Sequence, residues 1–240
     1  MKKILLTSVC ALAVTGAAFA QGSVNWGAIS AANMTAQTNT SALSPFVTGS
    51  LNPAFGPAVG GTGASASGAL FYYALLTSAY TNSQAAQPTT LAAIGAWQQT
   101  GLTATNGTVA SRLTPIAGTT QATANFMPAG VTNNVMMVGW SANLGNNWTT
   151  ALLNLNNWVV YSQTIAGQLA FVGTSVTGFI APNSANPGNA VFGAAATSFG
   201  LPIQSLNTQL LELGVPVPEP GTMALAGLGG LSLLAFRRKK

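Results

Sequence analysis

The sequence predicts a mostly-β body, of β-sandwich or jelly-roll type, followed by a short C-terminal hydrophobic helix. Short runs rich in β-branched and aromatic residues recur between Ala69 and Ala181. Gly, Pro and Asn punctuate them at short intervals, as turns between strands require. The middle of the chain is apolar yet almost uncharged, which suits a packed core wetted at its surface by hydroxyls and amides. Disordered chains instead combine low hydrophobicity with high net charge.

The elements follow in order. Residues 22–68 are rich in Gly, Ser, Thr, Ala and Asn, and "NPAFGPAVGGTGASASG" reads as loop; this region is expected to be irregular, with one early strand. Ala69 to Tyr80, "ALFYYALLTSAY", reads as a buried strand flanked by Gly68 and Asn82. In "TLAAIGAWQQTG", Leu91, Ile94 and Trp97 have helical spacing and suit a short helix despite Gly95. Val135 to Trp140 reads as a strand. "NWVVYSQTI" and "QLAFVGTSVTGFIA" are again β-branched and aromatic; Gly167 and Gln168 between them suit a hairpin turn, and Gly173 and Gly178 suit bulges. "LPIQSLNTQLLELG" admits two readings. Pro202 at a first helical position, with Ile203, Leu206 and Leu210 on one face and Gly214 as a stop, suits a helix. Leu206, Thr208, Leu210 and Glu212 also alternate as in a strand.

Charge is partitioned rather than spread. The 240-residue chain has a formal net charge of +5, with no His. It also has no Asp, and between Gln21 and Pro216 its charged residues are Arg112 and Glu212 alone. Nucleic-acid binding needs clustered Lys and Arg to neutralise phosphates, so a lone Arg112 excludes it. A body this close to neutral favours association, as in a matrix or layer. The single Cys, Cys10, lies near the start, so the body has no thiol for a disulfide or a thiolate metal site.

The start, "MKKILLTSVCALAVTGAAFAQG", has the layout of a secretory signal peptide: Lys2 and Lys3, an apolar run from Ile4 to Val14, and a small-x-small site at Ala18-Phe19-Ala20. Signal peptidase is expected to cut after Ala20, dividing a leader (1–20) from an exported body (21–215). A permanent membrane helix is the alternative, and the run is short for it. Near the other end, Met223 to Phe236 is apolar except for Ser232. As a helix it would span about 21 Å at ~1.5 Å per residue, against a hydrocarbon core ~30 Å thick. It makes a marginal, transient inner-membrane anchor. The cluster Arg237, Arg238, Lys239 and Lys240 is expected on the cytoplasmic side by the positive-inside rule.

Val217-Pro218-Glu219-Pro220, the Gly-rich apolar segment and the Arg/Lys cluster, in that order, resemble the PEP-CTERM sorting signal of Gram-negative bacteria. The resemblance covers the last two dozen residues. It implies that an exosortase, a membrane-embedded cysteine transpeptidase, reads Pro218, Glu219 and Pro220 and removes the tail, with residues 216–240 as the sorting signal. It also implies an extracellular-polysaccharide context and a final place at the cell surface or in the extracellular matrix. "GWSANLGNNW" further resembles a Trp-containing strand and turn that recurs in PEP-CTERM bodies. The physics agrees: two prolines fix φ and disfavour helix before them, so the peptide next to the membrane is extended and accessible. A Pro-rich linker before a plain anchor is the bland alternative.

Catalytic chemistry is poorly provided for. Acid–base catalysis needs a group tunable towards the working pH, and the body offers Glu212 and the tyrosines Tyr72, Tyr73, Tyr80 and Tyr161. A Ser-His-Asp triad is impossible, and zinc ligands are missing. Paired-carboxylate chemistry would need Glu219, which belongs to the sorting signal. No cofactor or metal site is expected. Glu212 reads as solvated or as a partner of Arg112. Of the five tryptophans, Trp148 and Trp158 in "LGNNWTTALLNLNNW" are the candidates for stacking on sugar rings, with core filling as the alternative. The sequons at Asn33, Asn39, Asn106 and Asn147 are expected from composition alone. The expectation is an exported, surface-sorted structural protein without enzymatic activity, with a carbohydrate-binding module sorted by the same route as the alternative.

Overall fold

A computed structural model describes residues 21–28, 34–50, 59–62, 71–109, 111–116, 121–165, 168–184, 187–204 and 207–216. The leader with Ala18 and Ala20, the motif residues Pro218, Glu219 and Pro220, and the C-terminal apolar run all lie outside them. No helix among the described residues is long and apolar enough to cross a membrane.

The body is mostly β, as its composition predicts. Its strands are β1 (Gln21–Asn25), β2 (Ala36–Leu43), β3 (Val59–Gly61), β4 (Phe71–Ala79), β5 (Gln98–Asn106), β6 (Leu113–Pro115), β7 (Ala122–Pro128), β8 (Asn133–Ser141), β9 (Phe171–Thr174), β10 (Gly178–Ile180), β11 (Asn189–Ala190), β12 (Gly200–Leu201) and β13 (Thr208–Glu212). Among the described residues the α-helices are α1 (Leu91–Gly95), α2 (Trp148–Asn156) and α3 (Trp158–Thr164).

β4 and β8 form the spine. They pair antiparallel over their full length, from Phe71↔Ser141 to Ala79↔Asn133. Every residue of β8 is buried, which explains why its sequence reads as a continuous apolar run rather than an alternation. The large sheet runs β3-β2-β13-β9-β8-β4-β5-β6, with β10 and β12 attached at the start of β8. It curls: the carbonyl of Ser111, just before β6, accepts from the amide of Ala36 at the start of β2, at 3.0 Å. A second sheet, β11-β1-β7, covers the inside of the curl.

Because side chains alternate across a strand, the large sheet has two apolar faces. Phe71, Tyr73, Leu75, Val135 and Met137 point inward and pack with Val24, Trp26, Ala122, Ala124 and Met127 of the small sheet and its flank. Ala74, Leu76, Met136, Val138 and Trp140 point outward and are covered by the helices through Ile94, Trp148, Ala151, Leu155 and Trp158.

Several expectations are corrected. The irregular stretch 22–68 holds three strands, because β2 gains its ladder from distant partners: β13 in parallel and β3 antiparallel. "NWVVYSQTI" is helical, so no hairpin joins it to β9. Its β-branched residues yield to the burial of Trp158 beside Trp148 and Leu155, a helical spacing. Gly173 and Gly178 sit at close approaches instead of bulges: a Cβ at Gly173 would lie 2.1 Å from the Gln209 carbonyl oxygen, and one at Gly178 2.6 Å from that of Leu201. The register shifts fall in the β1–β7, β4–β5 and β2–β13 pairings, with the extra residues in β7, β5 and β2. Of the two readings of "LPIQSLNTQLLELG", the strand holds at β13. Helix α1 forms as its spacing suggests, with the Thr90 hydroxyl accepting from the Ala93 amide.

Candidate functional site

Strand β13 leads to the sorting segment, and the structure fixes this exit firmly. The alternation of Thr208, Leu210 and Glu212 turns all three inward. Beyond Glu212, the Leu213 amide donates to the Ala170 carbonyl at 2.8 Å, and Val215 and Ser50 exchange backbone hydrogen bonds at 2.9 and 3.1 Å. The Gly214 carbonyl accepts from the Trp158 indole nitrogen at 2.6 Å. Gly214 also packs directly on Gly49, where a Cβ on Gly214 would come within 2.7 Å of the Gly49 backbone. The chain is therefore held by the fold up to Val215.

A cleft of about 330 Å³ opens beside this exit. Trp158, Val159, Gln163, Gln168, Glu212 and Pro216 are among its lining residues. Its size lies at the low end of the ~300–1,000 Å³ typical of small-molecule sites. A smaller hollow of about 240 Å³ lies near Phe71, Asn143 and Leu169.

Glu212 is not a solvated residue: it is 1% exposed. Its inward face follows from the strand alternation that it shares with Leu210. Arg112 is exposed and follows Ser111 at the start of β2, whereas Glu212 aligns with Leu43 at the end of β2. The two charges of the body thus occupy opposite ends of the β2–β13 pairing.

Trp148 and Trp158 come together, but inside. They are 3% and 6% exposed and belong to one core cluster. Trp148 packs on Trp140 with ring centroids 5.5 Å apart, and the Trp140 indole donates to the Gly145 carbonyl at 2.8 Å. A sugar-stacking ring needs an open face, which neither residue has; Trp158 offers the cleft only its margin. The helical spacing of Trp148, Ala151, Leu155 and Trp158, after the capping Asn147, is the sequence signal that identifies these rings as core. Asn147 accepts from the Thr150 amide at 2.9 Å, and Asn106 is buried with its side-chain oxygen accepting from the Phe71 amide at 2.9 Å. Both sequon side chains are thus used by the fold.

Tyr73 was not singled out by its sequence context. It is fully buried, and among the described residues its hydroxyl has no hydrogen-bond partner of normal geometry. Burial pushes its pKa well above the ordinary phenol value, and the nearby Thr62 hydroxyl offsets this only in part. Tyr161 differs: its hydroxyl donates to the Asn143 carbonyl. Among the described residues no three His, Cys, Asp or Glu side chains come together as a metal site.

The segment that follows the exit carries the match to known proteins. Residues 216–239 match the PEP-CTERM protein-sorting motif. No curated protein and no solved structure matches the chain.

Proposed function

We propose that this chain, which carries a PEP-CTERM protein-sorting motif, is a non-enzymatic structural or matrix protein of the cell surface, associated with extracellular polysaccharide. The motif at 216–239 carries the route: it implies export, sorting toward the surface and an exosortase as processing partner. Signal peptidase acting after Ala20 and exosortase acting at Pro218-Glu219-Pro220 leave a sandwich-like body of two facing sheets as the mature product.

The reading of the body rests on its side chains. Its one carboxylate, Glu212, is enclosed, and no second acid, His or Cys exists in residues 21–216 to work with it. A neutral body rich in hydroxyls and amides suits dense packing within a hydrated layer.

The intact mass of the mature protein from the cell surface tests the route. Termini at Gln21 and near Pro218 are expected, and a mass retaining both ends overturns it. Turnover of any substrate that Glu212→Gln abolishes would overturn the non-enzymatic reading. A carbohydrate-binding module is the second reading, and one observation favours it: the cleft beside Trp158 offers the amides of Gln163 and Gln168 to a sugar. Glycan binding lost in Gln163→Ala at unchanged thermal stability would establish that reading.

A further inference from the structure

We infer that the α2–α3 face of the body rests on the lipid surface for as long as the C-terminal segment is embedded; this rests on the sorting reading above. The inference begins with what the two helices leave outside. Trp148, Ala151, Leu155 and Trp158 face the core. The opposite side carries Leu153, Val159 and Val160, which are 60%, 63% and 68% exposed. Leu153 projects from α2, and Val159 and Val160 from the first turn of α3, on either side of the junction at Asn157. Around them stand Thr149, Asn156, Asn157 and Gln163, all exposed and uncharged.

The second strand of the argument is covalent. Pro216 lines the same cleft as Trp158 and Val159. Val215, just before it, is 42% exposed. Met223, the first residue of the apolar run, lies seven residues after Pro216. At ~3.6 Å per residue, that link reaches at most about 25 Å. While the run is in the membrane, the body cannot move further away, and the surface around Pro216 is the one tethered closest. The opposite end of β8, at Asn133, lies about 27 Å from Ser141 by strand rise. The exit lies at the Ser141 end of β8, because Leu213 bonds Ala170, two residues before Val172, which aligns with Trp140. The point of attachment therefore keeps that end, with the exposed valines of α3, nearest the bilayer.

Charge decides the kind of lipid. An interfacial helix that relies on anionic lipid carries Lys and Arg on its polar side. This face has none, and Glu212 beside it is enclosed. The partner is the headgroup–acyl boundary of a neutral or zwitterionic bilayer, entered by Leu153, Val159 and Val160 and wetted by the flanking amides. Such a contact holds the residues from Pro216 onward at the membrane surface, where an embedded processing enzyme works.

The experiment uses the full chain carrying Cys10→Ser, reconstituted in phosphatidylcholine vesicles. A single environment-sensitive fluorophore is placed through Val160→Cys, Val131→Cys or Leu231→Cys. Val131 is 50% exposed and near the far end of β8, so it serves as the control. Quenching by spin-labelled lipid is expected at Leu231 and Val160, with Val160 quenched about twofold or more over Val131, as for a side chain at the interface. Quenching at Leu231 with Val160 no different from Val131 overturns the inference and leaves the sorting reading standing. No quenching at Leu231 overturns the embedded tail, and this inference with it.

Discussion

The Trp158 indole nitrogen donates to the Gly214 carbonyl at 2.6 Å, tying the start of α3 to the residues that lead into the sorting motif. Both groups are buried, so the bond cannot be exchanged for water. Trp158→Phe keeps most of the ring but leaves that carbonyl without its donor, and is expected to cost about 1–3 kcal/mol. Urea unfolding of the body checks this. An unchanged midpoint would mean that the Leu213–Ala170 and Ser50–Val215 bonds hold the exit without the indole.

Trp148 is a core residue, and its removal should show as lost stability. Trp148→Ala is expected to destabilise the body by about 3–5 kcal/mol, the range for emptying a buried aromatic site. Near-UV circular dichroism should weaken as well, because the Trp140–Trp148 pair contributes to it. Full stability with a selective loss of glycan binding would contradict the packing described above.

Tyr73 makes a pH-dependent prediction. Its folded pKa is raised by burial, so the folded chain keeps a proton that the unfolded chain releases above pH ~10, the ordinary phenol value. Stability should therefore be intact below that pH and fall above it, at up to about 1.4 kcal/mol per pH unit. Tyr73→Phe removes this component and, by deleting an unpaired buried hydroxyl, should be neutral or slightly stabilising at pH 7. Denaturant melts of both proteins at pH 7 and pH 11 decide the matter.

Gly139 lies opposite Tyr73 in the β4–β8 ladder. A Cβ there would come within 2.7 Å of the Tyr73 ring and 2.9 Å of Leu210. Gly139→Ala is expected to cost about 1–3 kcal/mol through overpacking. In the Leu210→Ala background, which by itself costs about 2–5 kcal/mol because Leu210 is buried, the added cost of Gly139→Ala should remain more than half of its cost alone, since the ring contact remains. Thermal unfolding of the single and double variants reads the coupling.

Pro218→Ala with Pro220→Ala should leave the body as stable as before and block removal of the tail. Mass spectrometry of the surface fraction would then find the C-terminal segment still attached. Normal processing in that variant would place recognition outside the Pro-Glu-Pro element.

The spine of the fold was legible because its signal is local. β4 and β8 are dense apolar runs, and their burial on both faces demands that composition. β2 was illegible for the opposite reason. Its described side chains are Ala, Gln, Thr, Asn, Ser and Leu, of which only Ala36 and Thr40 are buried, and its ladder partner β13 lies some 170 residues away in sequence. No local pattern announces such a pairing. In α3, β-branched composition pointed one way and the spacing from Trp148 to Trp158 the other, and burial followed the spacing. The enclosure of Glu212 was implicit in its alternation with Leu210; reading charge alone obscured it. The sorting motif was the most legible part of the chain, because its three components are contiguous and need no tertiary context.

The position of β13 has a consequence for how the molecule is made. This last strand lies inside the sheet, between β2 and β9, and its partner β2 is among the first to be synthesised. The polypeptide cannot complete its sheet until residue 212 has emerged, four residues before the sorting motif begins. Assembly of the body and arrival of its address label are nearly simultaneous, so a chain stalled or truncated upstream of Thr208 would be left with an open gap in its sheet and no label for processing.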